Sequence, residues 1–237
     1  MNEMQVIDLV LPCYNPNQGW AEGIIRNLQQ IEEQCSRCYF RLFIVSDGSK
    51  FGFDPETIKL LKTRINNLHI ISYSGNKGKG YALRQAIKHC NSPYIIYTDY
   101  DFPYTLDSFI RVVNELTENE SDVVVALRNK SYRENLPLFR RVLSESSHLC
   151  NRLFLRLDIH DTQGGLKGFN LKGKYCFLDT RINGFLFDTE FIYKAKKRNL
   201  KVNTIEGNVR QDIIISNFGL ATVKQEMKNF LSILLCN

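Results

Sequence analysis

The chain has 237 residues, 43% of them hydrophobic and 24% charged, with 15 Phe and 11 Tyr spread along its length. That composition supports one sizeable globular domain with a large core and excludes a disordered chain. The formal net charge of +6 suits anionic small molecules or an anionic membrane surface and is too small to point to nucleic acid.

The first half repeats one theme: a short apolar run, a polar turn, then a helical pattern. Val6–Leu11 is predicted as a buried strand, followed by the turn Pro12-Cys13-Tyr14-Asn15-Pro16 and a helix from about Gly19 to Ile31. Phe40–Val45 is predicted as a second strand, ended by Ser46-Asp47-Gly48-Ser49. Pro55 suits a helix first turn, and Ile58, Leu61 and Ile65 follow at helical spacing. Leu68–Ser72 is the third predicted strand, a helix runs from Gly78 to His89, and Tyr94–Thr98 is the fourth strand. A helix from about Leu106 and a strand at Asp122–Ala126 complete the alternation. Beyond it, Arg128 to Arg156 is basic and partly helical, and Leu166–Asn170 is a candidate return to the sheet. A helix is predicted from Phe187 to about Arg198, a strand at Lys201–Glu206, and an apolar helical stripe from about Thr222 onward.

Strands alternating with helices imply an α/β fold: a mostly parallel sheet with helices on both faces. Ligands of such sheets sit outside the carboxyl ends of the strands. Tyr14-Asn15, Asp47-Gly48, Asn76-Lys77-Gly78 and Asp99-Tyr100-Asp101 all fall just after strands and should gather along one edge.

Seven cysteines, Cys13, Cys35, Cys38, Cys90, Cys150, Cys176 and Cys236, are odd in number and irregular in spacing. That pattern suggests reduced thiols and a cytoplasmic setting. Cys35-Ser36-Arg37-Cys38 has the C-x-x-C spacing, but no second pair or thioredoxin-like context accompanies it. The apolar run after Met4 reads as a strand rather than a secretory leader, and no run reaches the roughly 18 apolar residues of a membrane span. Any membrane contact is expected from the side, at the inner face.

Asp99-Tyr100-Asp101 is the strongest local signal. Two carboxylates this close at a strand exit repel each other unless a cation or strong donors offset the charge. A hard divalent ion, Mg2+ or Mn2+, binds such oxygens and a substrate phosphate together. Asn76-Lys77-Gly78-Lys79-Gly80 leads into a helix, where glycines admit an anion to backbone N–H groups. It is neither a Walker loop nor the G-x-G-x-x-G fingerprint.

Leu11-Pro12-Cys13-Tyr14-Asn15, Ser46-Asp47-Gly48-Ser49, Gly75-Asn76-Lys77-Gly78-Lys79-Gly80 and Asp99-Tyr100-Asp101 stand in the order seen in family 2 glycosyltransferases of the GT-A fold. Asp161-Thr162-Gln163-Gly164-Gly165-Leu166-Lys167-Gly168-Phe169 resembles the D-T-Q-x-G-F-K-x-F segment of dolichyl-phosphate glucosyltransferases and related mannosyltransferases, and Phe187-Asp188-Thr189-Glu190 their F-D-x-E. Arg128, Arg140-Arg141 and Asn151 fall where that group has an arginine after the fifth strand and an R-x-x-x-S-x-x-x-N-like stretch. The resemblance spans roughly residues 5 to 205. It implies a single GT-A domain, with a nucleotide-sugar-binding half to about residue 127 and an acceptor-side half beyond.

The same resemblance implies roles. Asp47 is expected at the base or ribose, with Pro12, Tyr14, Asn15, Asn76, Lys77, Gly78, Lys79 and Asp99 around the nucleotide sugar. Asp99 and Asp101 are expected to hold the metal, and Asp101, Asp188 and Glu190 to take part in catalysis. Arg128, Arg140, Arg141, Gln163 and Lys167 are expected on the phosphate or acceptor side. Ser46 stands where the group has Asp, and Pro16 where it has Glu, so the base recognised is not assigned. Sugar, acceptor and oligomeric state are likewise not assigned.

The implied reaction is inverting transfer of a sugar from a UDP- or GDP-sugar to an acceptor, a polyprenyl phosphate among the candidates. A phosphate acceptor is already ionised and needs cations; Arg128, Lys130, Arg133, Arg140 and Arg141 suit that need. A saccharide hydroxyl needs a base, for which Asp188 or Glu190 is the candidate. A sugar-phosphate nucleotidyltransferase would place a Gly-rich, Arg-containing loop after the first strand, where this chain has Pro12-Cys13-Tyr14-Asn15. A catalytically degenerate nucleotide-sugar-binding protein is the non-enzymatic alternative.

Overall fold

A computed structural model describes residues 4–129, 132, 138–212 and 220–235 of the chain. Lys130, Arg133 and Cys236 lie outside these residues, as does the side chain of Arg140.

Seven strands form one sheet: β1 (Gln5–Cys13), β2 (Cys38–Asp47), β3 (Leu68–Tyr73), β4 (Tyr94–Tyr97), β5 (Val123–Arg128), β6 (Lys167–Asn170) and β7 (Val202–Gly207), in the order β3-β2-β1-β4-β6-β5-β7. β6 alone runs against its neighbours β4 and β5. The helices are α1 (Trp20–Gln34), α2 (Pro55–Arg64), α3 (Lys79–Ile87), α4 (Leu106–Glu118), α5 (Leu138–Leu155), α6 (Leu171–Leu178), α7 (Phe187–Lys197) and α8 (Leu220–Leu235).

The central strands are apolar at nearly every position, as strands covered on both faces must be. On one face Ile7, Leu9 and Leu11 of β1 pack with Ile24 and Leu28 of α1 and with Phe109, Val112 and Leu116 of α4. On the other, Val10, Phe43 and Tyr97 pack with Leu83 and Ala86 of α3 and with Phe187 and Phe191 of α7. Asp54 caps α2 by accepting the Thr57 N–H at 2.9 Å, with Pro55 at the first turn. α6 was not expected from sequence; Asn170 caps it by accepting the N–H groups of Lys172 and Gly173. α1 runs to Gln34, nearly one turn beyond the expected end.

The chain builds β1, β2 and β3 outward, then returns across β1 to place β4 on its other side. The carboxyl ends of β1 and β4 therefore flank the switch point of the sheet, where a crevice opens. Because β6 is antiparallel, its first residues enter at that same edge. No helix among the described residues is long and apolar enough to cross a membrane.

Candidate active site

Four loops converge on the switch-point edge. After β1, Asn15 takes a left-handed backbone (φ 45°), donates its N–H to Ser49 Oγ at 3.0 Å and accepts the Lys50 N–H at 2.8 Å. Those bonds tie the β1 loop to the β2 loop. Pro12 is buried in the strand opposite Val45, while Tyr14 is exposed at the rim.

Asp47, at the end of β2, accepts the N–H of Lys77 at 2.8 Å, the N–H of Gly78 at 2.9 Å and the Tyr73 hydroxyl at 2.9 Å. Its carboxylate thus anchors the loop after β3. Gly48 (φ 67°) makes this possible: a β-carbon there would sit 2.2 Å from the Gly75 carbonyl carbon. Asn76 and Lys77 stay exposed, the Lys77 ammonium lying over the rings of Tyr73 and Tyr81.

Asp99 and Asp101 follow β4. Asp99 Oδ1 lies 2.6 Å from Nζ of Lys79, at the start of α3. Burial alone would depress the Lys79 ammonium, but Asp99, Asp188 and Asp101 hold it above its ordinary range. Partial burial and the charge of Asp99 push the Asp101 carboxyl up. The same two carboxylates, added to burial, push the Cys13 thiol up. Lys79 and Arg210 face the two carboxylates, and Arg210 is itself paired with Asp212, which leaves surplus negative charge at the crevice. Two hard oxygen donors at a strand exit fit the chemistry of Mg2+ or Mn2+. Among the described residues no third His, Cys, Asp or Glu joins them, so the remaining ligands would come from water and substrate.

The loop before β6 closes the site from the other side. A β-carbon on Gly165 would meet Asp99 Oδ2 at 2.5 Å. Lys167, expected to face phosphate, is instead sealed: its Nζ lies 2.7 Å from Asp188 Oδ1 and donates to the Gly164 carbonyl. Burial lowers its pKa against the opposing pull of Asp188. Asp188, which also accepts the Tyr97 hydroxyl, is therefore an internal partner; the helix cap position is Leu186. Glu190 accepts the N–H groups of Arg181 and Ile182 at 2.9 and 2.8 Å and pairs with Lys194 at 3.2 Å. Its oxygens hold the loop before α7. Arg128 grips Asp161 through Nε and Nη2 at 2.6 and 2.7 Å, so its guanidinium is not free for an acceptor. Gln163 lies half-buried beside that pair, its N–H donating to Asp161 Oδ1. Arg141 is half-buried on α5.

Sequence reading missed the segment Thr180–Leu186, which wedges against the start of α3. The Asn183 carbonyl accepts the Gly80 N–H at 3.0 Å. Arg84 donates to Thr180 Oγ1 and to the Ile182 carbonyl, at 3.2 and 2.8 Å. The available signal was an arginine set among Leu83, Ala86 and Ile87 on an apolar helix.

A doubly wound sheet with a glycine-bordered lysine loop and an Asp-x-Asp pair at its switch point defines the nucleotide-diphospho-sugar transferase class of α/β proteins, the GT-A fold. Residues 8–173 match the profile of Glycosyl transferase family 2. The chain belongs to that family. It is 23% identical over 210 residues to a dolichyl-phosphate beta-glucosyltransferase of Trichomonas vaginalis, covering 84% of this chain and 64% of that protein. It is also 23% identical over 218 residues to a dolichyl-phosphate beta-glucosyltransferase of Dictyostelium discoideum, covering 85% of this chain and 65% of that one. The chain thus spans just under two thirds of the length of these relatives. Glucosyl-3-phosphoglycerate synthase from Mycobacterium tuberculosis, solved with Mn2+, uridine diphosphate and phosphoglyceric acid, shares the fold. Its TM-score is 0.67 at 14% identity, over 98% of this chain and 78% of that one.

Proposed function

We propose that this chain transfers a sugar, with inversion, from a UDP- or GDP-sugar to an acceptor that carries a phosphate, a polyprenyl phosphate being the leading candidate. The observation that carries this reading is the Asp99–Asp101 pair at the switch point, with Lys79 against it. Asp99 and Asp101 would hold a divalent ion, which when bound supplies Lewis-acid neutralisation of the departing diphosphate. Lys79 sits at the first turn of α3, where N–H groups and the helix dipole favour the same anion. The Gly75–Gly78 loop, fixed by Asp47, keeps those donors in place without reorganisation.

The acceptor class follows from what the carboxylates are doing. Asp188 and Glu190 are the candidates for deprotonating a hydroxyl, and both are engaged inside the protein. An acceptor that arrives ionised requires no such base. The names of the relatives, dolichyl-phosphate beta-glucosyltransferases, support the same choice. The structure solved with Mn2+, uridine diphosphate and phosphoglyceric acid supports the metal and an anionic acceptor.

A lipid phosphate would bring the protein to a membrane from its side. Leu149, Leu153 and Phe154 of α5 and Met227 and Leu231 of α8 are exposed, with Phe154 and Phe230 in contact between the helices. Such exposed apolar side chains suit partial insertion at a lipid surface.

The test is nucleotide release from a panel of UDP- and GDP-sugars, with and without Mn2+ and polyprenyl phosphate. Release is expected only with metal, stimulated by the lipid phosphate, and lost in Asp101→Ala. Full activity in Asp101→Ala would remove the metal assignment. Donor binding without turnover for any acceptor would leave a binding protein.

A further inference from the structure

Cys35 and Cys38 take no part in the site above, and the structure places them where they can react with each other. Cys35 ends α1, its N–H bonded to the Ile31 carbonyl at 2.8 Å. Three residues later the chain has turned: the Cys38 N–H donates to the Cys35 carbonyl at 2.8 Å, and Cys38 opens β2 opposite Gln5. The carbonyl of Arg37, inside the turn, accepts the Gln5 N–H at 2.9 Å. A four-residue turn closed in this way keeps its end α-carbons within about 7 Å, and a disulfide spans about 4.4–6.8 Å between α-carbons. Backbone bonds already fix both cysteines, so little chain entropy opposes their approach. Both are free thiols, and their mutual hydrogen bonding pushes the Cys35 thiol up and the Cys38 thiol down.

We infer that Cys35 and Cys38 form a redox-active dithiol that closes to an intramolecular disulfide when met by a low-molecular-weight disulfide such as oxidised glutathione. A metal site is not the better reading, because among the described residues no group of three His, Cys, Asp or Glu surrounds them. The two cysteines have distinct parts. Cys38 is half-buried and accessible, whereas Cys35 is 7% exposed and packs in the core. Cys35 also sits at the negative end of the α1 dipole, which disfavours a thiolate there. The hydrogen bond from Cys35 lowers the Cys38 thiol despite burial and the nearby Glu118 carboxylate.

Cys38 is therefore the attacking thiolate and Cys35 the resolving thiol. The Cys38 thiolate attacks one sulfur of glutathione disulfide, forming a mixed disulfide and releasing one glutathione thiolate. The Cys35 sulfur then attacks the Cys38 sulfur, giving its proton to solvent and expelling the second glutathione thiolate. The protein loses two electrons and the oxidant gains them, becoming two glutathiones. β2 runs ten residues from Cys38 to Asp47 inclusive, about 30 Å end to end at ~3.3 Å per step. The switch therefore lies at the opposite end of the sheet from the candidate active site, and its test is independent of the activity.

The experiment treats the full chain with oxidised glutathione, then denatures it, alkylates it and maps peptides by mass. The Cys35–Cys38 peptide is expected to lose two hydrogens and both of its alkylation sites, and to regain them with dithiothreitol. Cys35→Ala should trap glutathione on Cys38, while Cys38→Ser should leave Cys35 fully alkylatable. The wild-type result does not depend on either variant folding. Cys35 and Cys38 both alkylated after treatment, whatever happens at Cys150, would overturn the inference. So would a disulfide joining Cys38 to any other cysteine.

Discussion

Nζ of Lys167 lies 2.7 Å from Oδ1 of Asp188, with 0% and 4% of the two side chains exposed. The pair stands behind the crevice: Lys79, on Asp99, feels the charge of Asp188, and Lys167 feels those of Asp161 and Lys79. Charges alternate from the Asp99 carboxylate inward, and each member has an opposite neighbour. Removing one partner of a buried pair leaves an uncompensated charge, at a cost of about 3–5 kcal/mol. Lys167→Met is expected to lose that much in urea unfolding, and Lys167→Met with Asp188→Leu to recover part of it. An unchanged midpoint in Lys167→Met would show that the pair contributes nothing.

Gly165 separates function from stability. A methyl group there would sit 2.5 Å from Asp99 Oδ2, and 3.6 Å from Lys79 Nζ. Both neighbours are ends of side chains, so the fold can yield by turning Asp99 aside. Gly165→Ala is expected to weaken Mn2+-dependent nucleotide binding at least tenfold, about 1.4 kcal/mol, with little change in thermal midpoint. At Gly164 the obstacle is the Ala126 carbonyl oxygen at 2.3 Å, which is backbone and cannot turn aside. Gly164→Ala should therefore lower the thermal midpoint. Calorimetry and titration on both variants decide whether this loop is fitted to Asp99.

The strands β1 to β5 were legible because each is an apolar run closed by polar turn residues, and Asp99 because it ends one. What was not legible depended on partners remote in sequence. Lys167 sits in Leu166-Lys167-Gly168-Phe169, and nothing local says that its ammonium is buried; Asp188 decides that. Arg128 looked available for a phosphate because Asp161, its partner, comes 33 residues later. Asp47 carried the right family signature, yet the N–H groups of Lys77 and Gly78 claim its carboxylate. α6 escaped because its eight residues follow directly on β6 and include Gly173. The sequence placed residues at the edge of the sheet, and tertiary hydrogen bonds then set which of them face outward.

The Arg128–Asp161 pair sets an acid limit. Burial alone would raise the Asp161 carboxyl, but the Arg128 guanidinium and its N–H bonds hold it below its ordinary value of 3.8. The folded carboxylate thus keeps its charge where the unfolded one takes up a proton. Its stabilising contribution is present above pH 3.8 and is lost as pH falls from there through the depressed value. Asp161→Asn is expected to be less stable at neutral pH and to show a shallower loss on acidification. Parallel acid limbs for the two proteins in urea titrations would assign acid sensitivity elsewhere.

Helix α8 meets the segment before α7 through Glu226, with Asn229 beside it at Gly184. Glu226 of α8 accepts the N–H of Phe185 at 3.2 Å and that of Leu186 at 2.9 Å, just before α7 begins. These N–H groups have no side-chain cap of their own at Leu186, and a carboxylate at a helix start is favoured by the dipole. The fit is close, since a β-carbon on Gly184 would meet Glu226 Oε1 at 2.4 Å. The same segment presents the Asn183 carbonyl to Gly80 and crowds Gly78. Glu226 therefore braces the segment that packs on the start of α3. Glu226→Ala removes charge-assisted bonds worth about 1.5–3 kcal/mol. Faster amide exchange at Phe185 and Leu186 and weaker nucleotide binding are expected in that variant, with Glu226→Gln intermediate. Because Glu226 contacts neither Asp99 nor Lys79 in the structure, a loss of binding without faster exchange at those two amides would contradict the bracing role. Faster exchange with unchanged binding would confine Glu226 to holding α8 in place.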